Sequence, residues 1–167
     1  MRHLVAAVLI VVSWAGAVAA QPVVFVVRHA ERADAGMAAA KAAGADPDLS
    51  GAGLARATTL AAMLKDARIT AVVTTEYKRS RETGEPTAKA GGLSLTVVDS
   101  KDSAGVLEKV KSAQGNVLVV GHSNTVPEVL KGLGVTEPVT ITEDEFDALF
   151  IATRASPPTF VRLRYPR

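Results

Sequence analysis

Three observations predict an α/β fold, a three-layer sandwich around a mostly parallel central sheet. Apolar runs rich in β-branched residues recur at Val23 to Val27, Ala71 to Thr75 and Val117 to Val120, the pattern of strands buried on both faces. Segments with helical spacing fill the intervals between them, as βαβ units require. Each run also stops abruptly at residues that carry chemistry: VVFVV is followed by Arg28-His29-Ala30-Glu31-Arg32, and VLVV by Gly121-His122.

The chain has 167 residues with 48% hydrophobic and 22% charged, enough for one domain with a sizeable core and an ordinary globular balance. Met1 to Ala20 stands apart. A basic start (Arg2, His3), an apolar run from Leu4 to Trp14 and a small-residue stretch up to Ala20 have the layout of a secretory signal. The apolar run is shorter than the ~20 residues a spanning helix needs. The expected organisation is therefore a signal peptide over 1–20 and one catalytic domain over 21–167. Its expected location is periplasmic or secreted, with no stable membrane insertion after cleavage.

The chain has no cysteine, so disulfides are excluded and stability must come from the core. Without Arg2 the balance is 18 basic minus 17 acidic residues, or +1. Aromatics are 4% and no Lys/Arg stripe interleaves with them, which argues against nucleic acid as a partner.

Taken in order, Val23 to Val27 is the first strand, and Arg28 to Asp48 a long connection whose Ala-rich part, Met37 to Ala43, has local helical character. Ser50 caps a helix in which Leu54, Ala57, Thr58, Ala61 and Leu64 recur on one face through about Ala67. Ala71 to Thr75 is the next strand. Arg79 to Ala90 is a helix stopped by Gly91-Gly92, and Leu93 to Val98 a third strand. Ser103 to Gln114 is helical, with Val106, Leu107 and Val110 aligned. Val117 to Val120 follows as a strand. Asn124 or Thr125 then caps a helix with Pro127 in its first turn. Val139 to Ile141, Ala148 to Thr153 and Thr159 to Tyr165 read as strands, and Glu143 to Asp147 as a solvated acidic turn, with a substrate role as its alternative.

In such sheets ligands bind outside the carboxyl ends of the strands. Arg28-His29, Thr74 to Arg79 and Gly121-His122 all follow strands, so they should converge on one edge. Two histidines without a third His or Cys nearby, surrounded by arginines that repel cations, argue against a metal. Guanidinium forks around an imidazole suit an anion, phosphate above all.

Here a resemblance enters. Arg28-His29-Ala30-Glu31 resembles the RHG/RHA signature of the histidine phosphatase superfamily, whose fold is phosphoglycerate mutase-like. Leu49-Ser50-Gly51-Ala52-Gly53 is similar to that family's L-T/S-x-x-G helix entry. Thr74 to Thr83 (TTEYKRSRET) resembles its S-S-x-x-x-R-A-x-Q-T stretch, and Val119-Val120-Gly121-His122 its second histidine motif. The four matches fall in family order and run from Val23 to about Leu130.

The resemblance implies a small exported phosphatase that needs no cofactor. His29 would be the nucleophile and carry a phosphohistidine intermediate. Arg28, Arg79 and a protonated His122 would clamp the phosphoryl oxygens, with the Ser123 backbone as a further phosphate-binding donor. The general acid is left among Glu31, Asp99 and Asp102, the two aspartates having turn or capping roles as their plain alternative. Arg32 and Asn124 are candidate pocket residues. The expected partner is a phosphorylated small molecule, glycan or protein. The competing expectation is a non-catalytic phosphate or phosphoglycan-binding module on the same fold.

Overall fold

The computed structural model describes residues 21–34 and 46–167. The signal-like segment and the Ala-rich stretch lie outside the described residues. Four strands and four helices alternate first: β1 (Val23–Arg28), α1 (Gly51–Leu64), β2 (Ile69–Thr75), α2 (Lys78–Ala90), β3 (Leu95–Val98), α3 (Ser103–Ser112), β4 (Asn116–Gly121) and α4 (Thr125–Gly132). Two further strands, β5 (Ala148–Thr153) and β6 (Phe160–Arg164), close the chain.

The strands form one six-stranded sheet in the order β3-β2-β4-β1-β5-β6. β3, β2, β4 and β1 run parallel, while β5 pairs antiparallel with both β1 and β6. The mostly parallel sandwich expected from the sequence is thus the one observed.

The apolar run of β1 is uninterrupted because both of its faces are covered. Val24 and Val26 join a cluster with Val117, Val119, Val106, Val110, Val126 and Leu130, on the side of α3 and α4. Val27 packs with Leu118, Val120, Leu60, Leu64 and Ala88, on the side of α1 and α2. Each fully buried valine or leucine contributes about 1.5–3 kcal/mol relative to exposure, so β1 and β4 form the best-anchored pair in the sheet.

The helix starts follow their caps. Ser50 Oγ accepts from Gly53 N at 3.1 Å, and Asp102 Oδ1 accepts from Gly105 N at 2.8 Å. Gly53 has a second task. A Cβ at that position would overlap the Glu31 carbonyl oxygen, so only glycine lets α1 approach the segment that leaves β1.

One expected strand is absent. Val139 to Ile141 is irregular, although Ile141 is buried and Val139 packs against the core. Hydrophobic content alone suggested a strand, but the carbonyls that follow it are taken by an arginine side chain instead of a neighbouring strand. Among the described residues, no helix is long and apolar enough to cross a membrane.

Candidate active site

β1, β2 and β4 are parallel neighbours in the middle of the sheet, so the residues leaving their carboxyl ends share one edge. Register places Arg28 opposite Gly121, and His29 N donates to Gly121 O at 2.9 Å. The ladder thereby carries one residue past β1 and sets His29 beside His122. Their rings meet edge to face with centroids 5.3 Å apart. A cleft of about 340 Å³ opens above them, lined by Arg28, His29, Arg79, His122, Ser123 and Glu143, with Tyr77 and Lys101 on its rim.

His29 is buried and its tautomer is fixed. Nδ1–H donates to the carbonyl of Ala30 at 2.8 Å, which leaves the Nε2 lone pair free. Burial chiefly, then the neighbouring His122, Arg79 and Arg28, pushes its pKa down to about 2 against the pull of the Ala30 carbonyl, so the ring is neutral at physiological pH. The Ala30 peptide is itself held. Its N–H donates to Thr83 Oγ1 at 2.9 Å, and that hydroxyl donates to Arg79 O at 2.7 Å. Thr83 therefore ties the turn after β1 to the helix that presents Arg79.

His122 is also neutral in the free site. Burial first, and then Arg79, lowers its pKa to about 4. The protonated His122 implied by the resemblance is not the resting form, because burial and Arg79 outweigh the opposing charge of Glu76. Its Nε2 lies 2.9 Å from Thr75 Oγ1, whose hydroxyl hydrogen is directed to Ser80 Oγ at 2.8 Å. Thr75 thus accepts from Nε2–H, and the second ring nitrogen is the one able to gain a proton.

The two arginines differ in how much of each is committed. Burial lowers the pKa of both, Arg28 and Arg79, the expected cost of keeping cations out of water for an anion to find. Arg79 stacks over Tyr77 with its Cζ 4.1 Å from the ring centroid and sits 3.8 Å from Asp46. Among the described residues its buried Nε has no hydrogen-bond partner, and neither has that of Arg28. Arg28 lies over Phe146 at 4.3 Å, and its NH1 donates to the carbonyls of Thr142 (2.7 Å), Glu143 (2.9 Å) and Glu145 (3.3 Å). One end of the Arg28 fork thus holds a loop, while NH2 meets the Glu143 carboxylate at 3.2 Å.

Of the three carboxylates weighed as general acid, Glu31, Asp99 and Asp102, the structure brings none to the cleft lining. Glu31 is clasped bidentately by Arg56, at 2.9 and 2.7 Å, and Arg56 also donates to Tyr165 O. Burial by itself raises the Glu31 pKa, but hydrogen bonds from Arg56 outweigh it and the net shift is downward. It is an ionised structural partner, unsuited to giving up a proton. Asp102 is the α3 cap, and Asp99 accepts from Lys101 N in the turn before it.

Ser123, expected as a backbone donor, also turns its hydroxyl to Glu143 Oε1 at 3.3 Å. Asn124 and Arg32 both line the cleft. Arg32 is paired with Asp34 through two bonds of 2.8 and 2.6 Å. Sequence reasoning gave no individual role to Thr75, Tyr77, Phe146 or Glu143. Thr75 and Tyr77 lie inside a motif that was singled out for Arg79, whereas Glu143 and Phe146 sit in a turn whose sequence looks chiefly solvated. Among the described residues, no group of three or more His, Cys, Asp or Glu is placed to hold a metal ion.

The geometry can now be set against known proteins. The family profile described as histidine phosphatase superfamily (branch 1) matches residues 24–102, from β1 to the turn before α3. Together with the shared fold, the match supports the histidine phosphatase superfamily.

Solved histidine-phosphatase-type structures resemble the chain over nearly all of their length. The protein histidine phosphatase SixA complexed with tungstate is 22% identical with a TM-score of 0.62, covering 85% of this chain and 96% of that one. A putative alpha-ribazole-5'-P phosphatase from Escherichia coli is 12% identical with a TM-score of 0.67, covering 87% and 97%. A mycobacterial glucosyl-3-phosphoglycerate phosphatase complexed with VO3 is 12% identical with a TM-score of 0.64, covering 87% and 99%. At these identities the likeness is one of fold. A search of curated protein sequences finds no match.

Proposed function

We propose that this chain is a phosphohydrolase in which His29 takes up the phosphoryl group as phosphohistidine and water then releases phosphate. The observation that carries this reading is the state of His29: neutral, buried, with Nδ1–H committed to Ala30 O and Nε2 facing cations. A lone pair so oriented suits in-line attack on phosphorus. Arg79 and the NH2 end of Arg28 supply charge for the phosphoryl oxygens, and His122 becomes a donor to them by taking up a proton. Ser123 completes the cradle from the start of α4.

The supporting likenesses span different phosphoryl carriers. SixA is described as a protein histidine phosphatase and the mycobacterial relative as a phosphatase of a glucosylated phosphoglycerate. A phosphomonoester, or a phosphorylated protein or glycan, is accordingly the proposed substrate class, and the open cleft admits bulky carriers. Export is part of the proposal and rests on the layout of Met1 to Ala20 alone.

Residues 21–167 incubated with an activated aryl phosphate should release the phenol and yield an acid-labile phosphoenzyme. His29→Ala should abolish both. Equal slow release from wild type and His29→Ala would sink the proposal, and tungstate binding without turnover would favour a binding module in its place.

A further inference from the structure

A phosphomonoester leaves well only if its departing oxygen receives a proton, and the carboxylates first considered for that task are held elsewhere. The search can be exhaustive, because segments 1–20 and 35–45 contain no Asp or Glu and every side-chain carboxylate therefore lies among the described residues. Glu31 is spent on Arg56, Asp102 caps α3, and Glu76 accepts from both the backbone and the hydroxyl of Ser100. Glu143 is the carboxylate that lines the cleft with His29 and His122.

We propose that Glu143 is a catalytic residue of this site, the carrier that protonates the leaving oxygen and then takes a proton from the attacking water. The inference rests on the phosphohydrolase reading above. Its geometric basis is an uneven tether. The Glu143 backbone is pinned through Arg28 NH1, which binds its carbonyl and those of Thr142 and Glu145. The side chain, in contrast, is 89% exposed and reaches Arg28 NH2 and Ser123 Oγ by contacts of 3.2 and 3.3 Å.

Such long, solvated contacts contribute little, so an incoming phosphoryl dianion displaces the carboxylate from both donors. The displaced carboxylate then stands beside the dianion on a short tether. A proton taken up with the ester then lies between two oxygen acids, and the tether places the carboxyl to relay it to the departing oxygen.

The proton count closes over the two steps. His29 Nε2 forms the N–P bond as the P–O bond breaks; the electron pair goes to the leaving oxygen, which takes the Glu143 proton. Water then attacks phosphorus and passes a proton to the Glu143 carboxylate. The P–N bond breaks, its electrons return to Nε2, and inorganic phosphate leaves.

The test compares wild type with Glu143→Gln on an alkyl phosphate and on p-nitrophenyl phosphate, whose leaving group needs no proton. Thermal melts confirm that both proteins are folded. Glu143→Gln should lose on the order of 10²-fold in kcat on the alkyl ester. On the aryl ester it should still phosphorylate His29, and rapid quenching should show phosphoenzyme accumulating because its hydrolysis is slowed. Glu143→Asp should recover part of the alkyl-ester rate.

Equal losses in the rate of His29 phosphorylation by the two esters would overturn the assignment, as would a higher turnover in Glu143→Gln, which would make the carboxylate a counter-ion that substrate must evict. If wild type itself forms no phosphoenzyme with the aryl ester, the phosphohydrolase reading fails and takes the Glu143 role with it.

Discussion

The rings of His29 and His122 meet edge to face at 5.3 Å, and burial holds both in the neutral form. Two imidazoles this close, beside Arg28 and Arg79, make a cavity that resists protons until an anion arrives. Two of the four predictions that follow draw on that resistance.

Acid should weaken the fold in a specific window. Below about pH 6.5 the unfolded chain protonates both imidazoles, whereas the folded chain keeps His122 neutral to about 4 and His29 to about 2. The unfolded state thus binds more protons, and stability falls as pH drops from 6.5. Each histidine contributes a slope of about 1 kcal/mol per pH unit. Urea unfolding between pH 4.5 and 6.5, above the usual carboxylate range, should show this slope. His122→Gln should reduce it by about half, and an unchanged slope would contradict the burial argument.

Anion binding should draw in a proton. His122 spends Nε2–H on Thr75, so donation to a bound oxyanion requires protonation of Nδ1. Titration calorimetry of tungstate near pH 6.5, in buffers of different ionisation enthalpy, should report uptake of up to about one proton per site. His122→Gln should remove most of that uptake while leaving weakened binding. No uptake in wild type would show that His122 binds the anion as a neutral ring or not at all.

Thr83→Val tests the tie between the turn after β1 and α2. The change is close to isosteric, yet it leaves the buried Ala30 N–H without its acceptor. Loss of about 1–3 kcal/mol is expected in denaturant unfolding. Because the Ala30 carbonyl orients His29, the phosphorylation rate should fall as well, and Thr83→Ser should restore both. A stability loss with unchanged phosphorylation would mean that His29 is oriented without this bond.

Arg56→Met should be among the costlier substitutions away from the cleft. It leaves the buried Glu31 carboxylate with the exposed Arg167, 3.3 Å away, as its remaining cation, and a loss of about 3 kcal/mol is expected. Adding Glu31→Gln to it should recover much of the loss, since the pair is then removed together. If the double variant is no more stable than the single one, Arg56 acts through its bond to Tyr165 O instead.

Most of the scaffold was legible in the sequence because its strands are central and parallel. Val23 to Val27 and Val117 to Val120 are buried on both faces, so burial wrote itself as unbroken apolar runs. Ser50 and Gly91 marked helix ends for local reasons that need no tertiary context. Val139 to Ile141 misled because its apolar residues fill the core from an irregular backbone.

The site divided along the same line. His29, Arg79 and His122 follow strands closely and could be placed by topology. Glu143 and Arg56 could not, because their partners lie 115 and 25 residues away and no local pattern announces the meeting. Glu31 misled for the converse reason: it is two residues from His29 along the chain, yet its carboxylate is claimed by Arg56.

The grip of Arg28 on residues 142–145 has a consequence for how such a cleft diversifies. NH1 binds three main-chain carbonyls, atoms that every amino acid supplies, so the rim stays seated whatever side chains it carries. Substitutions at Thr142 and Asp144 can then reshape the rim while the Glu143 backbone keeps its place. One guanidinium thus separates a position that must stay constant from neighbours that are free to drift.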